Sequence, residues 1–277
     1  LADVLNGKRP HIDSSIDDCY RELIERCWAD DPKKRPTFDE IVNLLKTDER
    51  FILDTVDKVE FEDYCDYISE SLIPYKFKDF KKVHINFQKN TEPKQLTIDE
   101  NIKEINLSLY EKIIKVGEGA FGSVYKIREK NTKKIYAAKI LKYELESYED
   151  NMLINLSREI NIISKLNYPN ILKFIGYSSR NLKDEPKPTI VTEFILNGSL
   201  NDILDNERNG LASPDWNDTK KLINIYGIAA GMAYLHSRNI LHRDLKPDNI
   251  YLDEFLFPKI GDFGLSKKLT DLINGIA

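Results

Sequence analysis

His242-Arg243-Asp244-Leu245-Lys246-Pro247-Asp248-Asn249, with Gly261-Asp262-Phe263-Gly264 a short distance on, decides how this chain is read. Within six residues the first string holds a carboxylate (Asp244), an ammonium (Lys246) and an amide (Asn249). The second adds a carboxylate, Asp262, set between glycine and phenylalanine. Together they supply a base, a phosphate clamp and two oxygen ligands, Asn249 and Asp262, of the kind Mg²⁺ takes. Two such strings in this order are not the product of an ordinary structural segment.

Upstream, Gly117-Glu118-Gly119-Ala120-Phe121-Gly122-Ser123-Val124 lies between two expected strands. Glycines there let backbone N–H groups approach phosphates without side chains intervening. Alone, the pattern is also that of a common glycine-rich hairpin. A strand follows it rather than a helix, which argues against a dinucleotide fold. Ala137-Ala138-Lys139 falls in the third expected strand, flanked by Tyr136, Ile140 and Leu141. An isolated strand lysine is ordinarily a solvated edge residue, but one inside a packed lobe needs an anionic partner. Glu159, in the next expected helix, is one candidate and phosphate oxygens are the other.

The residues around these motifs set the elements. Short β-rich runs at 110–117, 123–128 and 134–141 read as strands, with two more at 171–178 and 189–193. Helical spacing predicts a helix over 149–166 and a longer one over 217–237, with Leu222, Ile225, Tyr226, Ala229 and Met232 in its apolar stripe. Residues 108–277 thus read as a strand-rich lobe followed by a helical lobe. Before them, 16–28 reads as a helix broken by Asp31-Pro32, and Thr37 with Glu40 reads as the capping box of a second helix. From 48 to 107 the pattern weakens to a polar spacer with some helix, expected from Phe51 to Leu72.

Composition agrees with a folded, soluble chain. Of its 277 residues 41% are hydrophobic and 31% charged, so collagen-like and wholly disordered readings fall away. No apolar run approaches the roughly 20 residues of a membrane span, and no signal peptide opens the sequence. Three unclustered cysteines give neither a disulfide framework nor a zinc site, which favours a reducing, cytoplasmic setting. A net charge of −5 argues against nucleic acid as a partner. The charge is uneven: residues 1–107 carry 17 Lys and Arg against 24 Asp and Glu, and the remainder carries 24 against 22.

Residues 108–277 resemble the front portion of a eukaryotic protein kinase domain. The resemblance rests on the glycine loop, Lys139, Glu159, His242–Asn249 and Asp262-Phe263-Gly264. It implies an α+β fold with a five-stranded front lobe and a helical lobe that stops early. It further implies that Val116, Gly117, Glu118, Gly119, Ala120, Phe121, Gly122, Ser123 and Val124 cover ATP. Lys139 would pair with phosphates and with Glu159, and Asp244 would position or deprotonate the substrate hydroxyl. Lys246 would approach the γ-phosphate, and Asn249 and Asp262 would hold Mg²⁺. Thr192 falls at the gatekeeper position, before a hinge that includes Glu193 and Ile195. Lys246, two residues after Asp244, favours Ser/Thr over tyrosine substrates.

Residues 1–47 resemble a different part of the same family. Gly7-Lys8-Arg9-Pro10, Cys27-Trp28, Asp31-Pro32 and Arg35-Pro36-Thr37-Phe38 are similar to the closing segment of a tyrosine-kinase-like domain. The order is inverted, tail before head, as expected of a piece joining the end of one kinase domain, a spacer (48–107) and the start of another. The chain opens on Leu1 rather than Met, in keeping with that expectation. Such a tail normally packs beneath the long helix before the catalytic loop, so 1–47 is expected to dock on 217–237, leaving Arg35 in water. The implied partner is a protein substrate, with no nucleic acid and no membrane; the sequence sets no oligomeric state. The alternative is a nucleotide-binding scaffold or regulatory module, pseudokinase-like, without transfer activity.

Overall fold

Capping chemistry opens the second and third helices. In the computed structural model, which describes residues 7–71, 98–119, 122–142 and 150–268, α1 runs Asp18–Cys27. Asp31-Pro32 then starts a short 3-10 turn, Pro32–Lys34. The Glu40 amide donates to the Thr37 hydroxyl while the Thr37 amide donates to the Glu40 carboxylate at 2.7 Å. This is the expected capping box, and it opens α2 (Phe38–Thr47). The next helix is shorter than its sequence suggests. Glu49–Phe51 forms a 3-10 turn, and α3 (Lys58–Glu70) begins only where the Val59 and Glu60 amides donate to Asp57. Asp57 has left the helical conformation to cap, so the helix cannot extend back to Phe51.

The strand-rich lobe follows. β1 (Tyr110–Glu118), β2 (Gly122–Glu129) and β3 (Ile135–Leu141) precede α4 (Asp150–Ile163), and β4 (Phe174–Ser178) and β5 (Thr189–Glu193) come after it. The expected five strands form one sheet, antiparallel throughout, in the order β1-β2-β3-β5-β4. Leu156 and Ile160 of α4 pack on Leu141 and Ile190 of the sheet. Residues just before β1 strap the open edge: Ile105 N donates to Tyr177 O at 2.7 Å. Nearby, Lys165 sits 2.9 Å from Asp99 and holds that carboxyl down at about 2.

α5 (Leu200–Arg208) and α6 (Asp218–Ser237) lead to two small ladders that the sequence did not announce. β6 (Ile240–Leu241) pairs with β9 (Lys267–Lys268), and β7 (Ile250–Leu252) pairs with β8 (Pro258–Ile260). Their placement matters: His242–Asn249 spans β6 to β7, and Gly261–Ser266 spans β8 to β9. Both chemistry-bearing strings therefore spring from the same paired bases.

A single core joins the N-terminal helices to the helical lobe. α6 is buried on most of its surface, through Leu222, Ile223, Tyr226, Ala229, Ala230, Met232 and Leu235; Ile225, expected in the same stripe, is 38% exposed. Leu23, Ile41, Leu45 and Phe51 enter that core from the N-terminal side, and α2 and α3 lie along α6. Phe38 meets the His236 ring edge-on at 5.2 Å. Arg35 stays exposed and donates to Ala29 O at 2.7 Å.

The spacer reading needs correction over 51–70. Phe61, Tyr64, Cys65 and Ile68 recur at i, i+3, i+4 and i+7, and all four are buried in the same core as α6. Polar contacts pin the segment as well: Thr55 Oγ1 donates to Asp218 at 2.7 Å, and Asp57 N donates to Thr219 Oγ1 at 2.8 Å. Lys220 pairs with Glu60. The rest of the expected spacer from 72 to 97 lies outside the described residues.

Candidate active site

Lys139 is no edge residue. β3 is the central strand, and Lys139 stands opposite Val124 on one side and Ile190 on the other. Its ammonium lies 3.2 Å from Glu159 Oε1 and 3.3 Å from Asp262 Oδ1. Burial alone would push the ammonium down, but the Glu159 and Asp262 carboxylates overcome it and hold Lys139 above the ordinary lysine range. The expected Lys139–Glu159 pair is therefore formed, and Asp262 joins it.

Asp262 reaches that position through an unusual backbone. Its φ is +56° and that of Arg243 is +70°, left-handed values that cost a non-glycine residue free energy and that cluster at functional sites. The surrounding contacts hold them. His242, 1% exposed, sets Nε2 2.9 Å from Gly261 O and accepts from Asp244 N at Nδ1, 3.4 Å away. A carbonyl on one ring nitrogen and an N–H on the other define the neutral Nε2–H tautomer, and burial pushes the imidazole below its usual pKa. Phe263 closes edge-on over the same ring at 5.1 Å. One buried histidine thus ties the two strings to each other.

Asp244 sits between its expected neighbours. Lys246 Nζ lies 3.1 Å from Asp244 Oδ2, and Asn249 Nδ2 donates to the same oxygen at 2.9 Å and to Asp244 O at 2.8 Å. The Lys246 hydrogen bond, helped by Asn249, keeps the Asp244 carboxyl below the usual carboxylate range. Asp244 is an ionised acceptor whose rotamer is fixed from two sides.

At the rim, the Gly119 amide donates to Gly122 O at 2.8 Å and closes the glycine turn. Gly117, Glu118, Ser123 and Val124 flank it on β1 and β2, while Ala120 and Phe121 lie outside the described residues. Val116 is 49% exposed. Thr192 Oγ1 donates to Glu193 O at 3.2 Å, and Ile195 is half-buried just beyond. The Glu193 carboxylate is already engaged: it accepts from Lys173 N at 2.8 Å and pairs with Lys259 at 3.4 Å. The Glu193 N–H is engaged as well, donating to Lys173 O at 3.0 Å. Neither the Asp262–Lys139 contact nor the Glu193–Lys259 pair has a signal in local sequence pattern.

Gly122 carries a strict steric demand. A Cβ there would lie 2.3 Å from Ile140 O and 3.1 Å from Leu141 Cα, both backbone positions in β3, whereas a Cβ at Gly119 meets nothing within 4 Å. Gly122→Ala is expected to force β2 from β3 and lower stability by roughly 1–3 kcal/mol, as overpacking does. Gly119→Ala should leave the thermal midpoint nearly unchanged, and circular dichroism melts of the two variants check the contrast.

A sheet that delivers a lysine to a helix-borne glutamate, above two loops carrying Asp244, Asn249 and Asp262, defines a protein kinase. The chain belongs to that family: the family model described as the protein kinase domain matches residues 110–274. It is 33% identical over 264 residues to the Dual specificity protein kinase pyk3 of Dictyostelium discoideum, covering 95% of this chain and 17% of that protein. That match takes in most of the N-terminal helices as well as the strand-rich lobe. The Aurora kinase of Saccharomyces cerevisiae is 35% identical over 164 residues, 59% of this chain and 42% of that protein. The Serine/threonine-protein kinase pakF of Dictyostelium discoideum is 31% identical over 210 residues, 76% and 15% of the respective chains. The chain thus spans less than half the length of each of these relatives.

Proposed function

We propose that this chain carries the nucleotide cleft and transfer residues of a kinase that moves the γ-phosphoryl of ATP onto Ser or Thr hydroxyls of proteins. One observation carries the reading: Lys139, Glu159 and Asp262, from three separate elements, meet within hydrogen-bonding range beside an Asp244 fixed by Lys246 and Asn249. Side chains for every step are present, which disfavours a module that binds nucleotide without transfer.

The residues suit Mg²⁺. Asn249 spends its Nδ2 on Asp244, so its carbonyl oxygen is the atom available to a cation, and Asp262 adds carboxylate oxygen. Among the described residues no cluster of three or more His, Cys, Asp or Glu forms a complete metal cage. A set of one carboxylate and one amide fits an ion that draws its remaining ligands from phosphate and water. When bound, Mg²⁺ would neutralise charge on the phosphate oxygens. Lys139 would hold phosphate oxygens at the inner end of the cleft, Lys246 would meet the transferred group, and Asp244 would orient the hydroxyl and take its proton.

Ser/Thr preference rests on Lys246 two residues after Asp244, and the Serine/threonine-protein kinase pakF match supports it. The division at residues 47 and 107 rests on the change in sequence pattern, with 51–70 serving the helical lobe. A cytoplasmic setting fits the free Cys19, Cys27 and Cys65. Among the described residues no helix is long and apolar enough to cross a membrane.

Titration of the folded chain with a fluorescent ATP analogue tests the cleft. Binding should require Mg²⁺, because Asp262 otherwise sets bare negative charge beside the phosphates. Lys139→Met removes charge-assisted contacts and should weaken binding about 10- to 100-fold. Absence of Mg²⁺-dependent binding at millimolar analogue would overturn the reading.

A further inference from the structure

α3 lies outside the residues that match the protein kinase domain, yet its buried face is not purely apolar. Tyr64 is 3% exposed, and its hydroxyl accepts a hydrogen bond from Asn170 Nδ2 at 2.6 Å. Asn170, itself 1% exposed, donates with the same amide to Pro258 O at 3.0 Å in β8. Its backbone carbonyl accepts from Ile260 N at 2.8 Å, and Leu172 N donates to Ile260 O at 2.9 Å. Asp262 follows Ile260 by two residues, while residues 164–169 run back from Asn170 to α4, which carries Glu159. Asn170 is therefore the joint between the strand that delivers Asp262 and the helix that delivers Glu159.

Two further features show that this joint is tightly built. The Tyr234 hydroxyl accepts from Asn167 N at 2.9 Å and donates to Asn167 O at 3.2 Å, and its ring stacks on Tyr168 at 4.5 Å. α6 has a glycine where α3 reaches Asn170. A Cβ on Gly227 would fall 2.4 Å from the Tyr64 hydroxyl, 2.6 Å from the Pro258 ring and 2.8 Å from the Asn170 amide.

We infer that Tyr64 is a positioning residue for nucleotide phosphates: by fixing Asn170 it sets β8 against α4, and so the approach of Asp262 and Glu159 to Lys139. This rests on the reading that the cleft takes Mg-ATP. Tyr64→Phe keeps the ring contacts with Tyr226, at 6.2 Å, and Phe257, at 4.5 Å, and removes only the hydroxyl. Asn170 keeps Pro258 O as the acceptor for one amide N–H, while the N–H that met the Tyr64 hydroxyl loses its partner, so the substitution loosens the Asn170 side chain without breaking its hold on β8.

The test titrates the full chain and its Tyr64→Phe variant with a fluorescent ATP analogue in Mg²⁺, and separately with adenosine, which has no phosphates to meet Lys139 or Asp262. Affinity for the analogue should fall about three- to ten-fold, the value of one neutral hydrogen bond. Adenosine affinity should change less than about two-fold. Asn170→Ala should lower analogue affinity as well, and adding Tyr64→Phe to it should cost nothing more, because both act through one contact. Unchanged analogue affinity in Tyr64→Phe, or an equal loss for both ligands, overturns the positioning role. A folded wild-type chain that binds no Mg²⁺-dependent analogue overturns the nucleotide reading and this role with it.

Discussion

Asp244→Asn is expected to remove phosphoryl transfer while leaving nucleotide binding in place. The substitution preserves size, and Asn249 Nδ2 can still donate to an amide oxygen at the position Asp244 Oδ2 now occupies. The amide has no basicity, however, and it gives up the ion pair with Lys246 at 3.1 Å. General-base positioning of this kind contributes about 10²- to 10⁴-fold. Transfer of labelled γ-phosphate to Ser/Thr peptides should fall by that factor. The hydrogen bonds and ion pair of Asp244 run to Lys246, Asn249 and His242 rather than to Lys139 or Asp262, so affinity for the Mg²⁺-dependent analogue should stay within about two-fold of wild type. Transfer surviving within ten-fold would mean that Asp244 is not the residue that handles the hydroxyl.

Phe61→Ala is expected to destabilise the whole helical lobe. Phe61 is 2% exposed and meets Tyr226 edge-on at 5.6 Å. Truncating a buried phenylalanine costs about 3–5 kcal/mol, a large part of the roughly 5–15 kcal/mol that keeps a domain folded. The thermal midpoint should drop by about 6–20 °C. Val59→Ala, on the same helix but 67% exposed, should shift stability by no more than about 0.5 kcal/mol. If the two variants melted together, α3 would not belong to the core, and residues 51–70 would be a spacer after all.

Much of this protein was legible in the chain itself. The capping box at Thr37 and Glu40, the strand Thr189–Glu193, the long helix ending at Ser237 and the two chemistry-bearing strings all depend on neighbours a few residues apart. Local periodicity, caps and motif spacing report such features directly, because the interactions that create them close within one or two turns of chain. Lys139 reads as an interior residue for the same kind of reason, its apolar strand neighbours Tyr136, Ile140 and Leu141.

Other features were decided only by closure of the fold. Asp262 reaches Lys139 from 123 residues away, and its left-handed backbone is held by the buried His242 rather than by any turn residue in its own string. The ladders β6–β9 and β7–β8 are two or three residues long, too short to show a period, and form because α6 and the loops bring their strands together. α3 looked like part of a polar spacer since its outward face is acidic and its inward aromatic positions carry no mark of what they will meet. Their partners, Tyr226, Asn170 and Phe257, lie between 100 and 200 residues further along the chain. The i, i+3, i+4, i+7 recurrence of Phe61, Tyr64, Cys65 and Ile68 marks a face to be buried, but the surface that buries it is a property of the assembled core, where the hydrophobic effect rewards contact irrespective of sequence separation.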